Sequence, residues 1–190
     1  MVSTYTLLGD TFRKLVKDLA LPTGVFLNDE LAIEAQFHVV ESWTTACDFE
    51  PYLDATTEIP DDFEVPLDHA RYHVNGAKRT LRRLLRLANL YPPALIDLPS
   101  IVGSIPKTAW ELQRTTQIIF YGLEQIQTIL LPTSDGVPSP AETLQRLYLL
   151  TEFLSLRMNE LKYRLQKQWQ QQETIGEEWE RAGGQAGRRL

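Results

Sequence analysis

The sequence predicts an all-α fold: a four- to five-helix bundle with long acidic and Pro-rich connectors and a long projecting C-terminal helix plus tail. Three observations carry this. The 190-residue chain holds 29 Leu against 19 Val plus Ile, and γ-branched side chains keep more rotamer freedom in a helix than β-branched ones. Apolar residues recur at spacings of three and four over most of the chain. Helix start and stop signals bracket those stretches.

The first helix is expected from Thr4 to Leu21, where Leu7, Leu8, Phe12, Leu15, Val16 and Leu19 share a face and Pro22-Thr23-Gly24 stops it. Asn28 is a good N-cap for the second, with Asp29 and Glu30 in the first turn. Its buried face reads as Ile33, Phe37, Val40 and Cys47, widened by Val39, Trp43 and Ala46. From Asp48 to Asp68 the pattern breaks. This stretch has three prolines, eight carboxylates and no Lys or Arg, and reads as a long loop with one short turn.

A third helix is expected from Asp68 to Tyr91, with Val74, Ala77, Leu81, Leu84, Leu85 and Ala88 within one arc. A Pro-rich apolar connector follows. Pro106 then suits the first position of a fourth helix, with Leu112, Ile119, Leu123, Ile126 and Leu130 along its stripe. The fifth opens on the capping box Ser139-Pro140-Ala141-Glu142. Leu144, Leu147, Thr151, Leu154, Met158, Leu161 and Leu165 form a heptad-like seam. The helix is expected to reach about Thr174 and to turn polar beyond the seam. Residues 1–168 are read as the helical domain, and 169–190 as a projecting helix end with a Gly-rich tail.

A net charge of −6 argues against bulk attraction to nucleic acid. The average hides an opposition of surfaces. The eight carboxylates of residues 48–68 precede six cations and no acid in residues 69–90. Lys78, Arg79, Arg82, Arg83 and Arg86 share one helical face, and pairing with the acidic stretch, within or between chains, is the expected use. Trp169 lies on the seam and Trp179 returns near it. With the tail residues Arg188 and Arg189 they complete the candidate partner-binding set.

No catalytic, cofactor or metal site is read. His69 and His73 stand four apart, a spacing that suits metal, but Arg71 between them opposes a cation, so they read as surface histidines. Cys47 reads as a buried thiol, and a lone cysteine fits a reducing, cytoplasmic setting. The N-terminus lacks the pattern of a signal peptide, and the most apolar run, residues 118–131, is too short and too interrupted to cross a membrane.

The functional expectation is a non-enzymatic assembly protein that acts through protein contacts in a homo-oligomer or larger complex. A ring-forming, neck-type adaptor of a virion is one concrete form. The alternatives are a regulator that binds nucleic acid through the basic face, and a metal-dependent enzyme using His69 and His73.

Overall fold

The computed structural model describes residues 1–54, 59–91, 111–133 and 136–186. The fold is an all-α, five-helix bundle: α1 (Thr4–Lys17), α2 (Asp29–Thr44), α3 (Glu64–Leu87), α4 (Glu111–Leu130) and α5 (Pro140–Ala186), with no strand among the described residues. Two 3₁₀ segments, Thr45–Tyr52 and Asp61–Phe63, lie between α2 and α3. The expected start of the fourth helix at Pro106 lies outside the described residues.

The caps explain the helix boundaries. Ser3 Oγ accepts from the Thr6 amide, Asn28 Oδ1 from the Glu30 amide, and Ser139 Oγ from the Glu142 amide, each satisfying a first-turn donor that has no partner within its helix. α3 ends on Asn89, whose positive φ of 54° allows the closing bonds from Asn89 N to Arg86 O and from Leu90 N to Leu85 O. α1 stops a turn before the expected Leu21. α3 begins a turn before the expected Asp68, taking in Pro66, which is tolerated there because first-turn amides donate to nothing within the helix.

α3 is the central element, packed between α2 and α5, and α4 packs on α5 and on the Thr45–Tyr52 segment. Val74, Ala77, Leu81, Leu84 and Leu85 of α3 are buried, as is every seam residue of α5 from Leu144 to Leu165, and the two helices pack together. Phe49 and Phe63, from the two 3₁₀ segments, pack edge to face and are fully buried. The acidic stretch is thus folded back onto the core where it is described.

α2 corrects the sequence reading. Its buried face is Leu31, Ala35, His38, Val39, Val40 and Ser42, while Ile33 is 66% and Phe37 47% exposed. The helix has apolar residues on nearly all sides, so periodicity does not fix its rotation. The tertiary fit buries two small or polar positions, Ala35 and Ser42. Cys47 is exposed rather than buried, because it lies past the end of α2 in the tighter 3₁₀ segment. Leu7 of α1 and Leu156 of α5 are likewise exposed.

α5 runs 47 residues, roughly 70 Å at ~1.5 Å per residue. It passes the expected end at Thr174 and stays helical through Gly176. Leu165 is its last buried residue, Trp169 still packs partly on the core, and residues 170–183 are all exposed.

Candidate functional site

Three surfaces bear on function: the basic face of α3, the free end of α5, and a histidine cluster between α2 and α3.

The basic face is partly spoken for. Arg79 pairs with Glu34 of α2 at 2.7 Å. Arg82 donates to the Tyr148 hydroxyl at 2.7 and 3.1 Å and lies 3.8 Å from Glu152 on α5. The Tyr148 hydroxyl raises the Arg82 pKa further, fixing its charge. Lys78, Arg83 and Arg86 have no hydrogen-bond or carboxylate partner among the described residues. The acidic stretch pairs elsewhere. Asp68 accepts from Arg71 and Lys162, Glu64 lies 3.6 Å from Lys162, and Asp48 faces His69. The expected match of acidic loop to basic face within one chain is therefore absent among the described residues. The reason is geometric: the stretch precedes α3 and folds over its first turns, whereas the cations occupy its last turns.

The free end of α5 carries Trp179, 76% exposed, and Ile175, 55% exposed. Counted on from Leu165, the seam's alternation of three and four passes through Gln168, Gln172, Ile175, Trp179 and Ala182. Ile175 and Trp179 therefore extend the same stripe that Leu144 to Leu165 bury in the body. Trp169 sits where the helix leaves the core, with its indole N–H covered and without an acceptor among the described residues. Arg188 and Arg189 lie outside the described residues.

The third surface was missed by the sequence reading. The chain has three histidines, and the fold brings all of them together. His38 of α2 and His73 of α3 are 4% and 5% exposed, so His73 is no surface histidine. His38 Nδ1 lies 3.4 Å from His73 Nδ1, and His73 Nε2 lies 3.2 Å from His69 Nε2. Carboxylates stand at both ends: Glu34 Oε1 is 3.9 Å from His38 Nε2, and Asp48 Oδ2 is 3.7 Å from His69 Nδ1. Phe37 and Tyr72 pack edge-on against both inner rings.

Gly76 makes the approach possible. A Cβ there would fall 2.5–2.6 Å from three atoms of the His38 ring. Burial lowers the pKa of His38, with Arg79 adding to the effect and Glu34 opposing it. Burial, then His69 and His38, lower that of His73, with Glu41 opposing. Cys47 next door is held as a thiol: partial burial and Asp48 raise its pKa, and Sγ donates to Thr44 O. Among the described residues no group of three or more His, Cys, Asp or Glu is placed to hold a metal ion. A mid-helix glycine one turn beyond the His69–His73 pair was the available sequence signal, but it named no partner.

No protein-family model, curated protein or solved structure matches the chain. No helix among the described residues is long and apolar enough to cross a membrane.

Proposed function

We propose that the protein is an assembly subunit whose projecting helix end pairs with a second copy of the chain. The observation that carries this is the exposed continuation of the α5 seam at Ile175 and Trp179. Water gains nothing from an apolar stripe held on a helix clear of its body, and a facing helix covers it.

Charge favours an antiparallel second copy. The outer part carries Glu173, Glu177, Glu178 and Glu180 against Arg181, while Lys167 lies where the helix leaves the body, one turn beyond Arg164, which pairs with Glu160 at 2.7 Å. Antiparallel pairing sets each acidic end beside the other chain's basic segment; parallel pairing sets the acidic ends together. Burial of an Ile or Trp side chain contributes roughly 2–3 kcal/mol, so four of them approach the ~4–15 kcal/mol that association costs. The pairing is therefore weak and concentration-dependent, as suits a contact completed by a larger assembly. The neck-type ring adaptor remains a specific form of this proposal, without support from charge opposition, since the acidic stretch pairs with Lys162, Arg71 and His69.

The test is sedimentation or native mass spectrometry at tens of micromolar on three chains: full length, a truncation after Gln168, and Trp179→Ala. A dimer with full-length protein, lost in both variants while the helical signal of the body persists, is expected. A strictly monomeric full-length chain, or a truncation that associates as strongly, would refute it.

A second reading rests on Lys78, Arg83 and Arg86. Three cations within about two turns, without partners among the described residues, can attract a phosphate backbone. It predicts nucleic-acid binding that weakens steeply with salt.

A further inference from the structure

We infer that His38, His73 and His69 act as one proton-binding unit that takes up a single proton across the α2–α3 seam and excludes a second while both imidazole contacts are closed. A neutral imidazole has one N–H and one bare nitrogen. The two imidazole contacts, at 3.4 and 3.2 Å, each need one N–H facing one bare nitrogen.

With all three rings neutral there are two ways to arrange this. In one, His38 donates to His73, His73 donates to His69, and the last N–H points at Asp48. In the other the order reverses and the last N–H points at Glu34. Each leaves one end carboxylate without a donor from the row.

Adding one proton completes the set. Whichever ring holds it donates on both sides, the others turn their N–H groups outward, and both Asp48 and Glu34 face a donor. A second proton has no such place, because somewhere in the row two N–H groups must then face each other. A second proton therefore enters only when one of the two contacts opens, His69–His73 within α3 or His38–His73 between the helices.

The charged and titratable groups around the row are few. α2 supplies Glu34 and Glu41, α3 supplies Arg79 and Tyr72, and the Thr45–Tyr52 segment supplies Asp48 with Cys47 beside it. Tyr5 of α1 donates to Glu41 at 2.7 Å. Glu34 and Glu41 favour protonation of the row, and Arg79 beside His38 opposes it. His69 is the entrance: its side chain is 52% exposed, while the inner rings are covered by Phe37 and Tyr72.

The test uses full-length protein and NMR of the imidazole rings, which three histidines keep simple, with circular dichroism following the fold. The expected result is that all three rings shift with one common midpoint and that together they gain about one proton before the helical signal falls. Asp48→Asn, at an exposed end, should lower that common midpoint by roughly 0.2–0.7 pH unit, the size of a surface ion pair. The shift should be seen at His38, at the other end of the row, as well as at His69. A titration confined to His69, a response to Asp48→Asn confined to His69, or three fully charged rings in an intact fold would each overturn the inference.

Discussion

Gly76→Ala probes the contact on which the histidine row depends. The new methyl group would lie 2.5 Å from Cε1 and Nδ1 and 2.6 Å from Cδ2 of His38, where ordinary contact begins near 3.4 Å. The ring must retreat by about 0.9 Å, and it has little room. Phe37 stands 5.3 Å, Tyr72 5.5 Å and His73 5.5 Å away by ring centroids. Overpacking of a filled core costs roughly 1–3 kcal/mol. Breaking the buried His38–His73 contact adds roughly 0.5–1.5 kcal/mol. Against these, alanine is favoured over glycine inside a helix by about 1 kcal/mol.

The net loss is therefore about 0.5–3.5 kcal/mol, or roughly 1–14 °C in Tm for a chain of this size. Gly9→Ala is the control. Its methyl meets only Nε2 of Gln36, at 2.9 Å, the end of a flexible side chain that can swing away. That variant should stay within about 0.5 kcal/mol of the parent or gain up to ~1 kcal/mol from propensity. Urea unfolding followed at 222 nm measures both. If Gly76→Ala matched Gly9→Ala, the His38 ring would not rest against α3 as described, and the row would lose its basis.

Three further outcomes are expected. The fold lowers the pKa of His38 and His73, so the unfolded chain binds more protons. Stability should be full above the ordinary histidine value of 6.5 and fall as pH drops through it, which urea midpoints from pH 8 to 5 would show. Lys162→Met should cost about 1 kcal/mol. Burial alone would raise the Asp68 pKa, but hydrogen bonds from Lys162 and Arg71 hold it below the usual range, so the variant should also be less sensitive to acid near pH 3–4. Reversing Lys78, Arg83 and Arg86 to Glu should leave the unfolding free energy within ~1 kcal/mol of the parent, since none has a partner among the described residues. If the nucleic-acid reading holds, it should also abolish a salt-dependent affinity for duplex DNA; no such affinity in the parent removes that reading.

The sequence by itself determined the helices that carry their own signals. Ser139 with Glu142 caps the strictly periodic seam from Leu144 to Leu165, and Asn28 with its acidic first turn marks the start of α2; each stands where it was expected. The arc of α3 from Val74 to Ala88 was legible for the same reason: its cations leave only one side to bury. The exposed Trp179 was legible too, because the residues around it are polar. Tertiary structure decided what local pattern left degenerate. α2 is apolar on too many sides for its rotation to be read, so the fit against α3 turned His38 and Ser42 inward and Phe37 out. The meeting of His38 with His73 joins positions 35 residues apart through the space that Gly76 leaves open. No spacing rule reaches across two helices, and the partners of Asp68 and Arg82 on α5 were hidden for that same reason.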